Sequence, residues 1–282
     1  MQRKVYQTDL SDTEWRRLAP FVPAPKGGGR PNLHTRREIL NAIFYVVRAG
    51  CQWRLLPHDL PPWKTVYHYF RLWRLDGTWM RIHMMLLVLV RVQAGRDRQP
   101  SAGIVDSQSV KTTGVGGESG YDGAKKIKGR KRHLLVDTQG LLLKVLVHRA
   151  DIADRDGVKD LLKSVPDTFA RLKHLWMDGG YNGKGRGKDW VETVLGWTVE
   201  VVKHPPKIRG VWAPADAVID WEKLLPPKGF RVLPRRWVVE RTFSWLGQSR
   251  RLSKDYERLC TTSEAFIYVA MTRLMVKRLA QG

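Results

Sequence analysis

Apolar residues recur at helical spacing through the first third of the chain. In Thr35–Ala49 and again in Lys64–Leu75 they are separated by three and four positions, which places them on one face of an α-helix. Ser11 and Glu14 have the spacing of a capping box, which predicts a short helix before these two. Gly50 is a natural stop for the first of the longer helices. The sequence therefore predicts a mostly helical N-terminal region.

Beyond residue 100 the pattern changes to short apolar runs that alternate with amphipathic segments. The order is three strands, helix, strand, helix, strand, helix, which predicts a mixed α/β sheet. The polar, breaker-rich stretch Ala94–Ser101 predicts a boundary between a helical domain, residues 1–97, and an α/β domain, residues 98–282. The predicted strands are Gly103–Val105, Lys131–Val136, Leu141–Val147, Leu172–Met177 and Trp197–Val202, and the predicted helices are Gly157–Val165, Lys188–Leu195, Arg235 to about Leu252, and Ser263–Leu279.

The charge balance indicates a polyanionic partner. The chain has 50 Lys and Arg against 27 Asp and Glu, a net charge of +23. Because the basic residues lie in several separate segments, nucleic acid is favoured over an anionic membrane surface. The most apolar segment, Met84–Val90, is far shorter than the roughly 20 residues that span a bilayer. No apolar run of a signal peptide follows Met1–Tyr6. We expect a cytoplasmic protein with no membrane partner.

Three acidic residues are candidates for a metal site: Asp106, Asp178 and Glu240. The two aspartates directly follow short apolar runs, and Glu240 lies within the last long helix but one. If the first strand is central and the strand before Asp178 pairs beside it, the two aspartates meet at one edge of the sheet. Carboxylates brought together in this way repel unless cations bind, and Mg²⁺ prefers oxygen ligands. Two such ions could clamp a phosphoryl transfer.

Other interpretations of these acids remain open from the residues alone. Arg236 and Glu240 have the i, i+4 spacing of an ordinary surface ion pair. Asp106 and Asp178 could both be turn residues. Among the remaining acids, Asp137 has the place of a tight-turn residue, and Asp154 and Asp156 precede a helix, as capping residues do.

Five motifs follow one another in order along the second region: Val105–Thr112, Gly129–Asp137, Asp178–Tyr181, Trp237–Leu246 and Arg250–Glu257. Together they resemble bacterial insertion-sequence transposases, in particular the DDE transposases of the insertion sequence 5 family. The resemblance covers nearly the whole chain, because the segment Gly50–Pro57 also fits the N-terminal region of that family.

The resemblance implies an RNase H-like catalytic domain in which Asp106, Asp178 and Glu240 are the catalytic and metal-binding triad. It further implies Mg²⁺ or Mn²⁺ as cofactor, with two ions, and the cutting and joining of double-stranded DNA at terminal inverted repeats. A homodimer on DNA and a nucleoid location are expected on the same ground. In the family signature Arg236 fits the arginine, whereas Leu233 and Gly247 stand where a tyrosine and a lysine are usual.

Three segments are candidates for DNA contact. Lys64–Leu75 has a cationic side and could act with Thr35–Ala49 as a helix-turn-helix; the alternative is a solvated helix face. The loop Lys26–Pro31 places Arg30 where it could enter a minor groove, or it is a plain interhelical loop. The glycine-rich and then basic segment Gly114–Arg132 could clamp phosphates, or it is a mobile hairpin loop. The candidate residues are Arg30, Lys64, His68, Arg71, Arg74, Lys125, Lys126, Lys128, Arg130, Lys131 and Arg132, with Arg236, Arg250 and Arg251 near the acids.

The sequence thus predicts a DNA transposase that binds terminal inverted repeats and catalyses metal-dependent cleavage and strand transfer. Two alternatives use the same features. One is a non-catalytic DNA-binding regulator, and the other is a structure-specific nuclease on the same fold.

Overall fold

Four helices form the N-terminal region of the computed structural model, which describes residues 3–24, 33–202, 218 and 235–282. They are α1 (Asp12–Leu18), α2 (Arg36–Ala49), α3 (Trp63–Leu75) and α4 (Thr78–Gln93). The predicted capping box is confirmed, because the Ser11 hydroxyl accepts from Glu14 N and the Glu14 carboxylate accepts from Ser11 N. Gly50 ends α2 in the left-handed region, with φ of 72°.

The connection between α2 and α3 differs from that of a helix-turn-helix. Residues 50–62 separate the two helices and include a 3-10 turn, Trp53–Leu55. A helix-turn-helix joins its helices by a turn of about three or four residues. The structure therefore does not confirm the motif, although both helices are where the periodicity predicts them.

Helix α4 was not predicted. It covers the apolar stretch Met84–Val90, whose nearly uniform hydrophobicity hides the helical period. Among the described residues, no helix combines the length and the apolar character needed to cross a membrane.

In the second region the described residues form a six-stranded mixed sheet and five further helices. The strands are β1 (Ala102–Lys111), β2 (Gly120–Asp122), β3 (Ile127–Asp137), β4 (Leu142–Arg149), β5 (His174–Asp178) and β6 (Thr198–Val202). The helices are α5 (Asp154–Leu162), α6 (Val165–Thr168), α7 (Gly187–Val194), α8 (Arg236–Gly247) and α9 (Cys260–Gln281).

Strand β1 is central, as the sequence predicted conditionally. It pairs antiparallel with β3 on one side and parallel with β5 on the other, and β5 pairs parallel with β6. Beyond β3 lies β4, antiparallel, and the short β2 pairs with the start of β3. The predicted tight turn between β3 and β4 is confirmed, since Gly140 N donates to Asp137 O at 3.0 Å. Strands β2, β3, β4 and β1 pair antiparallel, and β5 and β6 run parallel to β1, which gives the predicted mixed α/β sheet.

The helix that carries Glu240 is shorter than predicted. It ends at Gly247 rather than near Leu252, and a separate 3-10 turn covers Arg250–Leu252. Ser249 between them has extended backbone. Glycine and serine are weak helix formers, so the run Gly247–Ser249 breaks the helix.

One hydrophobic core joins the helical region to the sheet. The final helix, α9, packs against α1, α2, α3 and α4 and also against β4. Phe70 of α3 stacks on Phe266 of α9 with ring centroids 4.4 Å apart. His83 of α4, fully buried, bonds through Nε2 to the carbonyl of Leu142 in β4 at 2.7 Å. The proposed division at residues 97 and 98 therefore falls between regions that share a core.

Candidate active site

Asp106 and Asp178 lie side by side on one face of the sheet. Ile104 of β1 pairs with Trp176 of β5 in parallel register, and each aspartate is two residues further along its strand. Because side chains alternate along a strand, both carboxylates point to the face on which Ile104 and Trp176 lie. The same shallow cleft is lined by both aspartates and by Arg236. The sequence-predicted meeting of the two aspartates is what the strand register gives.

Each aspartate is fixed by a backbone amide through one oxygen. Asp106 Oδ1 accepts from Ser107 N at 2.7 Å, and Asp178 Oδ1 accepts from Gly180 N at 2.8 Å. The second bond caps the 3-10 turn Gly179–Tyr181, so Asp178 does have the turn role that the sequence left open. Neither Oδ2 atom has a backbone donor among the described residues.

The carboxylate pair is short of positive charge. Burial raises the pKa of Asp106 to about 6, although the Ser107 amide, Arg236 and Lys125 act in the opposite direction. The negative charge of Asp178 raises it further. A pKa raised in this way means that the ionised pair is costly until further cations arrive.

Glu240 reaches this site through Arg236. Helix α8 packs across β1, β3 and β5, and its first residue, Arg236, lies between the acids. Arg236 Nη2 is 3.6 Å from Asp178 Oδ2, and Arg236 Nε is 3.3 Å from Glu240 Oε1. The Glu240 side chain is 49% exposed. The i, i+4 ion pair is therefore present, and the same arginine ties it to Asp178.

The chemistry of the donors fits a hard divalent ion in part. Asp106 and Asp178 offer adjacent oxygen ligands, which is what Mg²⁺ and Mn²⁺ accept. Within the described residues, however, no group of three or more His, Cys, Asp or Glu side chains is close enough to hold a metal ion. Glu240 is held by Arg236, so a three-carboxylate set requires the Arg236 side chain to turn away from it.

A second layer of polar residues lies under Asp106. Ser107 Oγ donates to Asp154 Oδ1 at 2.9 Å, and Lys131 Nζ lies 2.8 Å from the same oxygen. Burial opposes ionisation of Asp154, but the His133 ring 3.6 Å away and the ammonium of Lys131 outweigh it and hold the pKa of Asp154 well below the usual range. Tyr181 is fully buried beside these groups, and the nearby carboxylates add to burial in raising its pKa.

Asp154 is the functional-site neighbour that sequence reasoning missed. It was predicted as a helix cap, but the cap position of α5 belongs to Ala153 and Asp154 turns to the sheet. The available signal was the alternation Lys131, His133 along a strand, which places two basic side chains on one face and calls for an acid opposite them.

Four predicted DNA-binding residues are corrected by their burial. Arg130, Lys131 and Arg132 are at most 4% exposed, and Arg251 is 9% exposed. Arg130 donates to Asp255, and Arg132 donates to the carbonyls of Leu252 and Lys254. Arg251 pairs with Glu257 at 2.6 Å and donates to Cys51 O. A side chain that is buried and bonded inside the protein is not accessible to a DNA backbone, so the β3 residues Arg130, Lys131 and Arg132 drop out of the predicted phosphate clamp.

The remaining basic candidates stay compatible with contact to DNA. Exposed side chains are those of Lys64, His68 and Arg71 on α3, of Lys125, Lys126 and Lys128 before and at the start of β3, and of Arg250. Arg74 is partly buried and donates to Thr261 Oγ1 at 2.9 Å. Lys125 Nζ donates to Ser107 Oγ at 3.1 Å, which places this cation beside the aspartate pair. Arg30 lies outside the described residues.

Adjacent aspartates on the central strands of a mixed sheet, with an acid-bearing helix across them, match the arrangement expected of a DDE-type transposase domain. Comparison with known families agrees: residues 97–275 match the model of the transposase DDE domain, so the chain belongs to that family. Residues 10–83 match the model described as "Putative transposase of IS4/5 family". Membership implies an RNase H-like fold, transposase-type activity on DNA and the use of divalent metal ions.

Two curated relatives are similar to parts of the chain. The insertion element IS402 uncharacterized 16.2 kDa protein of Burkholderia cepacia is 31% identical over 117 residues, which is 39% of this chain and 78% of the relative. Uncharacterized protein y4sN of Sinorhizobium fredii (strain NBRC 101917 / NGR234) is 33% identical over 82 residues, which is 29% of this chain and 63% of the relative. No solved structure gives a significant match.

Proposed function

We propose that this chain is a DNA transposase that binds the terminal inverted repeats of an insertion sequence and catalyses metal-dependent cleavage and strand transfer. The observation that supports this most directly is the pairing of Asp106 with Asp178, joined to Glu240 through Arg236. In this proposal residues 1–97 contribute DNA binding and residues 98–282 contribute catalysis. The working form is a homodimer on DNA, acting at the nucleoid in the cytoplasm.

Asp106 and Asp178 would hold the divalent ions, Mg²⁺ or Mn²⁺, with Glu240 as the third ligand. Two such ions, when bound, stabilise negative charge on the attacking and leaving oxygens of a phosphodiester. The amides of Ser107 and Gly180 orient the two aspartates, so that the geometry of the pair is set before substrate arrives.

Arg236 has a second task in this proposal. In the free protein it pairs with both Asp178 and Glu240, and both ion pairs are longer than 3 Å. Once divalent cations neutralise the acids, the guanidinium is released to bind a DNA phosphate, for which its planar fork is well shaped. Lys125, beside Ser107, supplies a further positive charge on the same side.

The test uses a supercoiled plasmid that carries both element ends, with Mg²⁺ present or withheld. Asp178→Asn should lose cleavage by about 10²–10³-fold, the size expected when a group that stabilises charge in the transition state is removed. Binding of the ends, measured separately, should persist. The matched control is Asp167→Asn, which removes an exposed carboxylate from α6.

The outcomes separate this function from its alternatives. Cleavage by Asp178→Asn at the normal rate contradicts the proposed site. If the unaltered chain binds the ends but cuts them neither with Mg²⁺ nor with Mn²⁺, the protein is a regulator. Cutting of branched DNA that lacks the terminal repeats, without joined products, identifies a structure-specific nuclease.

A further inference from the structure

A separate cleft, which is basic, lies beside α8 and away from the aspartate pair. Its volume is about 490 Å³, and it is lined by Arg241 of α8, Arg278 of α9, the turn residues Thr138 and Gln139, and Gln93 of α4. Among the described residues that line it there is no carboxylate. The cleft therefore carries two positive charges and neutral hydrogen-bonding groups.

The two arginines share one aromatic ring. The guanidinium of Arg278 lies 4.5 Å from the ring centroid of Trp245, and that of Arg241 lies 4.9 Å from it. Arg241 is also 5.3 Å from the ring of Trp237. Contacts of this kind fix the direction of a guanidinium, but a neutral ring does not cancel its charge.

The nearest acid is already engaged. Asp137 is bonded to Arg91, and its Oδ1 accepts from the amides of Gln139 and Leu141. Burial, and after it the charge of Arg241, lowers the pKa of Arg278, although the charge of Asp137 acts in the opposite direction. Two arginines held close together without a carboxylate of their own are a costly arrangement unless an anion binds.

One donor of this pair is also unused. Arg241 Nη2 donates to Gln139 O at 2.9 Å, whereas Arg241 Nε is sheltered from solvent and has no hydrogen-bond partner within the described part of the chain. Among the described residues, the buried arginines Arg91, Arg130 and Arg251 each have a carboxylate partner, and buried Arg132 donates to two main-chain carbonyls. Arg241 and Arg278 differ from these four because they line an open cleft, where a ligand can reach them.

We propose that Arg241 and Arg278 form a binding site for a backbone phosphate of DNA. The inference rests on the proposed function, because it places a strand of the same substrate beside the candidate active centre. Arg236 and Glu240 form one i, i+4 row on α8, and Trp237 and Arg241 form the adjacent row. A strand that passes Glu240 can therefore continue to Arg241 and Arg278. Trp237, 42% exposed, offers a face on which a base can stack along that path.

The first experiment measures binding of an end-containing duplex by fluorescence anisotropy across a salt series in EDTA. Loss of one phosphate contact reduces the slope of log K against log salt by about 0.9. Arg278→Gln should show this reduction, and Arg278→Lys should restore most of it. The control is Arg16→Gln, which removes an exposed arginine of α1 whose side chain bonds, within the described residues, only to Thr13. Thermal unfolding of each variant checks that it is folded.

The second experiment locates the phosphate. The same duplex is prepared with a single uncharged methylphosphonate at successive positions. At one position the substitution should weaken binding by the unaltered protein and leave binding by Arg278→Gln unchanged, because the contact is already absent. An unaltered salt slope in Arg278→Gln, or the lack of any such position, overturns the proposal.

Two further arms separate the possible failures. Inorganic phosphate at constant ionic strength tests for a small-anion site: protection of the unaltered protein but not of Arg278→Gln against unfolding, with no change in the DNA slope, overturns the DNA assignment. Cleavage of the same duplex with Mg²⁺ tests the proposed function by itself. If the ends are cut while Arg278→Gln keeps the full slope, only the phosphate site fails; if the slope falls and nothing is ever cut, only the transposase function fails.

Discussion

The sheet carries two groups of charged side chains that are treated in opposite ways. On β3, Arg130 is completely buried and has a carboxylate, Asp255, and three carbonyls as acceptors. On the neighbouring β1 and β5, two aspartates share a cleft with one arginine that also serves Glu240. The first group is neutralised within the protein, and the second is not.

A charged residue in a strand has a structural role when the protein itself supplies its counter-charge and all its hydrogen-bond partners. It is available for a functional role when they are incomplete. A buried ion pair with all its hydrogen bonds satisfied fixes one arrangement, and it strongly resists the loss of either partner. An incomplete set keeps a site ready for ions and substrate. Substitutions in the two groups should therefore have different effects on stability and on cleavage.

The largest effect is expected from Arg130→Met. The substitution leaves Asp255 buried without its cation, so the free energy of unfolding should fall by about 3–5 kcal/mol. Urea denaturation measures the change. The double variant Arg130→Met with Asp255→Asn should recover part of the loss, because no charge then stays uncompensated. A loss below about 1 kcal/mol in the single variant would show that this pair is not structural.

Glu240→Gln should have the opposite profile. Because Glu240 is half exposed, the free energy of unfolding of the variant should differ by no more than about 0.5 kcal/mol. Cleavage of element ends should fall by about 10²–10³-fold. Parallel denaturation and plasmid-cleavage assays check both values. Equal effects on stability and cleavage would erase the proposed distinction between the two groups.

His83 represents a third case, a buried group that stays uncharged. Burial lowers its pKa to about 4, although the carbonyl of Leu142 acts in the opposite direction. The unfolded chain therefore takes up a proton near pH 6.5 while the folded chain does not. Stability is fully present above about pH 6.5 and is lost by about 3 kcal/mol as the pH falls to about 4.

The measurement for His83 is a difference between two profiles. His83→Gln keeps a polar side chain but cannot titrate. Subtracting its stability-versus-pH curve from that of the unaltered protein isolates the histidine from the other titrating groups. A flat difference between pH 6.5 and 4 would mean that His83 is charged inside the protein.

The smallest effect is expected from Arg236→Gln. The ion pairs of Arg236 with Asp178 and Glu240 are long and lie near the surface, so their loss should change stability without metal by less than about 1 kcal/mol. The matched comparison is Arg130→Met in the same denaturation assay. A loss from Arg236→Gln as large as that from Arg130→Met would place Arg236 in the structural group.

The parts of this molecule that follow from local pattern were predictable. Periodicity gave α2 and α3, and alternating apolar runs gave the order of the main strands. The meeting of Asp106 with Asp178 followed from a central β1. These features depend on neighbours in sequence or on a simple topological rule.

The predictions that were wrong concern residues whose partners lie far away in the sequence. Arg130 looked like a surface cation because its acid, Asp255, comes 125 positions later and only the fold brings them together. Asp154 looked like a cap because Ser107 and Lys131, which it actually binds, lie on other elements. Burial of a charge cannot be inferred from the charge alone, since the same residue type is used for solvent and for core.

The stacking of Phe70 on Phe266 has a mechanical consequence. It couples α3, which carries the exposed cations Lys64 and Arg71, to the same core that supports the sheet. If α3 binds the duplex, as proposed for residues 1–97, that duplex meets Asp106 and Asp178 at a fixed separation and angle. Where a straight double helix does not fit this rigid arrangement, the DNA bends and the protein does not. We therefore expect easily kinked steps, such as TA and CA, to be favoured between the held segment and the cut.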